Sequence, residues 1–307
     1  MKRIVVTGGA GFIGSHIVEH ALAQGLSVTV LDNLHTGKQA NIDLFAANPQ
    51  YQFVHGSILD QALLHEVCQG ADAVFHLAAL ISVPESMEKP HEYVQVNVNG
   101  TLNILEACRQ QNVGSVVLSS SAAIYGDNPV VPKQETMIPE PKSPYAVTKL
   151  DGEYYFDLYC REHGIRATCL RYFNVFGPRQ DPYSQYAAAV PIFIDKARRN
   201  EPITIFGDGE QTRDFVYVKD VVQANFLAAE KGQGGVFNVA WGNTMTINAL
   251  AENIIQATDS GSDITHLPER PGDIKHSLAD NHKLVTELGF VASSDLAQGL
   301  AETIRVG

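Results

Sequence analysis

Gly8, Gly11 and Gly14 stand between an apolar run at residues 3–7 and an amphipathic stretch that closes at Gln24-Gly25. The order is strand, glycine turn, helix, helix stop. The spacing G-x-x-G-x-x-G permits a tight turn and lets a pyrophosphate approach the backbone, where unpaired amides at the helix N-terminus face it. A second strand, Ser27-Val28-Thr29-Val30-Leu31, follows and ends in Asp32. A carboxylate about twenty residues after the turn accepts hydrogen bonds from ribose hydroxyls and repels a 2′-phosphate. The pattern therefore predicts a βαβ unit that binds NAD rather than NADP.

The alternation continues. Residues 52–55 read as a strand, Asp60 caps a helix running to Gly70, and 73–77 form the next strand. That strand ends in Ala78-Ala79, small enough for a cofactor to lie against. A helix is expected from about Asn97 to Gln111, then a strand at 115–118 leading into Ser119-Ser120-Ser121. A long helix after Tyr145 ends near Gly164, and another strand follows at 165–170. Strands spaced by helices predict an α/β fold, a Rossmann-type doubly wound parallel sheet. Ligands on such sheets bind beyond the carboxyl ends of the strands, where the glycine turn, Asp32, Ala78-Ala79 and Ser121 all fall. From Asn174 onward, Gly177-Pro178, Asp181-Pro182 and Gly207-Asp208-Gly209 mark loops and the alternation becomes irregular. The expected division is an NAD-binding domain at 1–173, with returns to the sheet at 213–218 and 236–240, and a smaller interleaved substrate domain at 174–212 and 241–307. No Pro-, Gly- or Ser-rich linker separates them, so they are expected to share an interface.

In Ser143-Pro144-Tyr145-Ala146-Val147-Thr148-Lys149, a proline opens a helix that carries a tyrosine and a lysine one turn apart on one face. An adjacent ammonium stabilises a phenolate, and lowering a tyrosine from near 10 to about 7 is worth roughly 4 kcal/mol. That would make Tyr145 a usable general base or acid. The formal charge of −12 argues against nucleic acid and anionic membrane surfaces, while leaving room for a small anionic ligand. Lys2-Arg3 leads straight into the first strand, so no presequence is expected, and no run has transmembrane length. Cys68, Cys108, Cys160 and Cys169 are scattered, as suits reduced thiols in a cytoplasm. His16 and His20 have a zinc-compatible spacing but no evident third ligand, so a packed or solvated pair and no metal are expected. Tyr154, Tyr155, Phe156 and Tyr159 are expected to pack rather than to form a ligand box.

With T-G-G-A-G-F-I-G, S-S-S-A-A-I-Y-G, P-Y-A-V-T-K and R-Y-F-N-V-F-G-P-R-Q in this order, nearly the whole chain resembles the extended short-chain dehydrogenase/reductase family. Within that family it most resembles the UDP-sugar 4-epimerases. The resemblance implies tightly held NAD, a UDP-sugar substrate, a homodimer and a catalytic group of Ser121, Tyr145 and Lys149. Tyr145 would be the base, Lys149 would bind the nicotinamide ribose and lower the tyrosine, and Ser121 would bond the sugar 4-hydroxyl. The 4-keto sugar formed by transient oxidation would turn about its phosphate linkage and be reduced from the other face. Cofactor positions carried over are Gly8, Gly11, Phe12, Ile13, Gly14, Asp32, Asn33, Ser57, Ile58, Leu77, Ala78, Ala79 and Asn97, with Tyr145 and Lys149. Substrate positions are Ser82, Ser121, Tyr145, Asn174, Ala188, Ala189, Thr204, Phe206, Arg213, Arg270, Asp273 and Ser277. Guanidinium forks suit phosphate oxygens and a carboxylate suits ribose hydroxyls.

Departures from the family pattern narrow the expectation. Dehydratases and decarboxylases of the family carry acidic side chains just after the catalytic hydroxyl, where this chain has Ala122 and Ala123. Ile81 stands where glucose/galactose epimerases often have a lysine. Ser277 stands where glucose-restricted bacterial relatives place a tyrosine, and a serine leaves room for an N-acetyl group. The segments Tyr186-Ala187-Ala188-Ala189-Val190-Pro191 and His276-Ser277-Leu278-Ala279-Asp280 also resemble epimerases of N-acetylated sugars. The expected substrates are UDP-GlcNAc and UDP-GalNAc, with UDP-Glc and UDP-Gal as a second pair. The rival expectations are an NAD-dependent dehydratase or decarboxylase, and a non-catalytic NAD-binding regulator. Regulators of that kind lose the tyrosine or the lysine.

Overall fold

Short β-branched runs and amphipathic helices alternate over the first half of the chain, and the structure turns them into strands and covering helices. This computed structural model describes residues 1–183, 188–269, 275–292 and 296–306. The strands are β1 (Arg3–Thr7), β2 (Ser27–Asp32), β3 (Tyr51–His55), β4 (Ala73–His76), β5 (Ser115–Ser121) and β6 (Arg166–Tyr172). Between them run α1 (Phe12–Ala23), α2 (Gln39–Asp43), α3 (Gln61–Cys68), α4 (Val83–Glu88), α5 (Pro90–Tyr93), α6 (Gly100–Gln110) and α7 (Pro144–His163). A π-helical turn, Val94–Asn99, joins α5 to α6, and a 3-10 turn, Ala122–Tyr125, follows β5. The sheet expected to reach residue 118 at β5 continues to Ser121, which pairs with Tyr172.

In the second half come β7 (Asn174–Phe176), α8 (Ala189–Arg198), β8 (Ile203–Phe206), β9 (Thr212–Arg213), β10 (Phe215–Tyr217), α9 (Val218–Lys231) and β11 (Gly235–Val239). The chain ends with β12 (Met245–Thr246), α10 (Ile247–Ala257), β13 (Ile264–Leu267), a π-helical turn Leu284–Leu288 and α11 (Leu296–Val306). Strands β11-β6-β5-β4-β1-β2-β3 form one seven-stranded sheet, and its pairings are parallel throughout. The reversal of order at β1 and β4 opens the crevice in which such sheets bind ligands.

Period-two alternation divides the core. Ile4, Val6, Phe75, Val117 and Leu170 pack with Ile17 of α1 and Phe226 of α9 on one face. Val5, Val74, Val116 and Leu118 pack with Leu64, Ile104 and Phe156 of α3, α6 and α7 on the other. Both faces are thus covered, as a parallel sheet requires. A further cluster gathers Phe193, Ile203, Leu250 and Leu300 from α8, β8, α10 and α11, and Phe12 and Ile13 of the glycine turn touch it.

One expectation is corrected. Residues 236–240 do return to the sheet through β11, but 213–218 do not. The place beside β6 belongs to β11, and β10 instead pairs with β7, Phe215 opposite Asn174, in a separate two-stranded sheet. Among the described residues no helix is long and apolar enough to cross a membrane.

Candidate active site

The glycine turn is closed so tightly that its composition follows from sterics. A Cβ on Gly14 would sit 2.2 Å from the Gly8 carbonyl oxygen, and one on Gly8, whose φ is +73°, would sit 2.7 Å from the Ala78 amide nitrogen. Gly11 is the N-cap of α1, no side chain caps that helix, and no acidic residue lies in its first turn. The first-turn amides of a helix have no intrahelical acceptor, so this end suits a pyrophosphate. Asp32 accepts from the Ala10 and Leu34 amides at 3.0 and 2.8 Å, and a carboxylate retains further lone pairs for ribose hydroxyls. The residues present fit NAD. Asn33 lies exposed beside this strand end and Ser57 accepts from the Leu59 amide. The Ile58 side chain instead packs into the core, where a Cβ on Gly100 would meet its Cδ1 at 2.4 Å, so any ligand contact falls to its backbone.

Below the crevice a buried polar chain fixes the floor at Leu77, Ala78 and Ala79. Thr101 Oγ1 donates to the Asn97 carbonyl at 2.5 Å, so its lone pair accepts from His76 Nε2 at 3.0 Å. His76 Nδ1 therefore accepts from Thr7 Oγ1 at 2.8 Å, and that oxygen accepts from the Ala78 amide at 3.3 Å. This assigns a neutral His76 with its proton on Nε2. Burial, reinforced by the Lys149 charge, pushes it down to about 3. Asn97, expected to meet the cofactor, holds Leu80 by both backbone groups at 2.8 and 2.9 Å and donates to Thr148 Oγ1 at 3.0 Å. Ser82 Oγ caps α4, and its amide donates to Tyr93.

Tyr145, Lys149 and Ser121 converge at the ends of β5 and α7. Ser143 caps α7 through the Ala146 amide, and Pro144 occupies its first turn. Burial pushes the Tyr145 phenol above its ordinary range, and a hydrogen bond with Ser121 pulls against that rise. The depression by Lys149 expected from the spacing is absent in the protein's own field. Lys149 Nζ donates to the Ser119 carbonyl at 2.8 Å and stands 5.9 Å from the Tyr145 ring centre. Burial brings that ammonium down to about 8.

A cavity of about 420 Å³ lies beside Ser121, lined by Ser121, Asn174, Arg213 and Ser277 among the expected residues. Asn174 Nδ2 donates to the Asp214 carbonyl and Arg213 to the Thr212 carbonyl, both at 2.9 Å. Ala188 is the N-cap of α8 and Ala189 its first residue. Thr204 and Phe206 lie on β8, where Thr204 Oγ1 accepts from Lys196. The structure does not bring Ser82, Tyr145, Ala188, Ala189, Thr204 or Phe206 into the lining, and of the three expected catalytic residues only Ser121 reaches it. Arg270 and Asp273, with Tyr186 and Ala187, lie outside the described residues.

Sequence reasoning missed Tyr125, Lys133 and His276, which line the same cavity. Tyr125 sits in the quoted S-S-S-A-A-I-Y-G run, so its nearness to Ser121 was the available signal. The histidines of α1 diverge: His16 Nε2 faces the Pro178 carbonyl at 2.9 Å, and His20 stacks on Phe226 at 4.6 Å. No group of three or more potential metal ligands occurs among the described residues. Of the aromatics on α7, Phe156 and Tyr159 are buried and Tyr155 packs beside them, while Tyr154 is 61% exposed.

A testable consequence concerns Lys149. Its folded pKa lies below the 10.5 of a free lysine, so the associated stability is fully present above about 10.5 and is lost as pH falls to about 8. At pH 7, Lys149→Met should therefore stabilise the fold by about 1–2 kcal/mol net of the lost Ser119 bond. Denaturant melts of both proteins between pH 7 and 10.5 should show that advantage shrinking as pH rises.

The family model described as "NAD dependent epimerase/dehydratase family" matches residues 4–240. A UDP-glucose 4-epimerase of Mycolicibacterium smegmatis is 37% identical over 99% of this chain and 97% of its own length. The solved UDP-N-acetylglucosamine 4-epimerase of Methanobrevibacter ruminantium M1, in complex with UDP-N-acetylmuramic acid, is 44% identical with a TM-score of 0.95. That match covers 99% of this chain and 97% of the other. The UDP-glucose 4-epimerase of Thermotoga maritima, solved with UDP-glucose, is 41% identical with a TM-score of 0.92 and the same coverage. By sequence, by fold and by the fit of its glycine turn to a dinucleotide, this chain is a member of the NAD dependent epimerase/dehydratase family.

Proposed function

We propose that the protein is an NAD-dependent UDP-hexose 4-epimerase. The observation that carries this reading is the gathering of Ser121, Tyr145 and Lys149 beyond the carboxyl ends of the parallel strands, with a sugar-sized cavity lined by Ser121. When bound, oxidised NAD brings a positively charged nicotinamide that takes and returns hydride at sugar carbon 4. Tyr145, as the phenolate that a bound nicotinamide cation would favour, accepts the proton of the 4-hydroxyl and returns it after the sugar has turned. Ser121, which lines the cavity, holds the same oxygen. Lys149, anchored to the Ser119 carbonyl, supplies the cation on the cofactor side. Asn174 and Arg213, with Arg270 and Asp273, hold the UDP portion.

Ala122 and Ala123 line the cavity, and no carboxylate does so among the described residues. An elimination or decarboxylation mechanism would lack its second proton carrier there, which favours epimerisation over the dehydratase reading. The presence of the full Ser121–Tyr145–Lys149 group argues against a non-catalytic regulator. Ser277 in the same lining supports UDP-GlcNAc and UDP-GalNAc as the preferred pair, with UDP-Glc and UDP-Gal as a second pair.

The outer face of α7 carries Val147, Tyr154 and Leu158, each more than 40% exposed, at spacings that align them along one stripe. Val94, on the neighbouring π-helical turn, is also exposed. An apolar stripe of this kind suits a second copy of the chain, and the reading includes a homodimer. The four cysteines are free, which supports the cytoplasm, a location checked by cell fractionation.

Purified protein incubated with each of the four UDP-hexoses should interconvert the gluco and galacto forms, and denaturation should release NAD. Tyr145→Phe should keep the NAD and lose turnover on the order of a thousandfold; retained turnover would remove Tyr145 from its role. Ser277→Tyr should lower activity on the N-acetylated pair by roughly tenfold or more while sparing the plain pair. Equal loss on both would reject Ser277 as the gatekeeper. Sedimentation equilibrium should report two chains per particle for the native protein and one for Tyr154→Glu.

A further inference from the structure

A buried chain of hydrogen bonds runs from the helix that carries Tyr145 to the far wall of the sugar cavity. It begins at Glu153 on α7, two turns beyond Tyr145. Glu153 accepts from Ser120 Oγ at 2.5 Å and from Arg171 Nε and Nη2 at 2.9 and 2.7 Å. Arg171 Nη1 donates to the Tyr125 hydroxyl at 2.8 Å, and the guanidinium lies 4.9 Å from the centre of the Tyr125 ring. Tyr125 in turn donates to Asn238 Oδ1 at 2.7 Å. The Asn238 amide donates to the carbonyls of Lys133 and Asp280 at 2.9 and 3.2 Å. Lys133 pairs back by its own amide to the Leu278 carbonyl at 2.8 Å, and its carbonyl accepts from the Asp280 amide at 2.9 Å.

Two members of this chain, Tyr125 and Lys133, line the cavity. Tyr125 belongs to the turn that continues from Ser121, on the side of the reacting hydroxyl. Lys133 bridges to Ala279, and His276 and Ser277 of the same segment also line the cavity. The side chains along the whole run are buried: Glu153 at 4%, Arg171 at 3%, Tyr125 at 1% and Asn238 at 0% exposure. No solvent can replace a missing partner in such a chain, so a change at one link displaces its neighbours.

We propose that Tyr125 and Asn238 are positioning residues that set the distance between Ser121 and the Ser277 wall, and thereby select the sugar 2-substituent. The proposal rests on the reading of the cavity as the hexose site. Neither residue needs to touch the reacting atoms. Tyr125 fixes the Asn238 amide, and the Asn238 amide fixes the wall. With Ser277 read as the neighbour of the sugar 2-substituent, an N-acetyl group would reach this wall and a plain hexose would leave it largely uncontacted. Loosening the wall should therefore penalise the N-acetylated pair selectively.

The test uses Tyr125→Phe, Asn238→Ser and the double variant, each first checked for NAD retention and for its melting temperature. In both single variants, KM for the N-acetylated pair should rise roughly tenfold with little change in kcat. In Asn238→Ser, whose side chain does not line the cavity, KM for the plain pair, or the inhibition constant where turnover is absent, should move by less than about twofold. The double variant should resemble the singles, because the two side chains act through one linkage. Equal changes on both sugar pairs, or additive effects in the double variant, would overturn the proposal. If Tyr125→Phe fails to retain NAD, the KM split in Asn238→Ser alone decides. Absence of epimerisation by the native protein would instead remove the reading on which the proposal rests.

Discussion

The arrangement of the site depends on one buried ion pair, Arg171 on β6 and Glu153 on α7, joined by a two-pronged contact. Removing two charges from water is expensive, and such a pair is seldom more stabilising than apolar residues of the same shape. Its value lies in direction. A guanidinium fork accepts a carboxylate in one plane only, so the pair fixes how α7 is rotated about its axis against β5 and β6. Tyr145 and Lys149 lie two turns and one turn before Glu153 on the same helix, and their orientation toward the crevice follows from that rotation.

Around this frame the reactive groups are all held against their ordinary ionisation. Burial raises Tyr145, lowers Lys149 and lowers His76. In each case burial shifts the group toward its neutral form, although Lys149, at about 8, still carries its charge at pH 7. Three neutral-leaning groups within a dry crevice respond strongly to any charge brought beside them, because the low local dielectric does little to screen it. The chain carries a formal charge of −12, yet the cavity wall offers Arg213, Lys133 and His276 and no carboxylate among the described residues. An anionic ligand is thus attracted locally by a molecule whose net charge opposes it.

Much of the frame was legible in the sequence because local rules set it. The spacing of Gly8, Gly11 and Gly14 reports the close packing of turn and helix, and apolar runs at intervals report a sheet covered on both faces. Ser143-Pro144 marked the start of α7 and Gly164 its end, where the structure has a left-handed cap. What stayed hidden depends on partners distant along the chain. Nothing near residues 213–218 tells that β11 takes the place beside β6 and leaves β10 to pair with β7. The Tyr-x-x-x-Lys spacing suggested a depressed phenol, but the Ser119 carbonyl, thirty residues earlier, determines where the ammonium points. Arg171 directly after the apolar pair Cys169-Leu170 in β6 was a visible sign of a buried partner, although the identity of Glu153, Tyr125 and Asn238 required the fold.

The π-helical turn at Val94–Asn99 inserts one residue into what would otherwise be a continuous helix from α5 to α6. Upstream of it, Tyr93 secures the Ser82 amide; within it, Asn97 secures Leu80; just beyond it, Thr101 reaches His76. One residue of helix corresponds to a rotation of roughly 100°. A deletion of a single residue here would keep the segment helical and well packed in isolation, yet would swing either the loop clamps or the histidine contact out of line. Lineages descending from this chain should therefore tolerate substitutions along that helix far more readily than any change in its length.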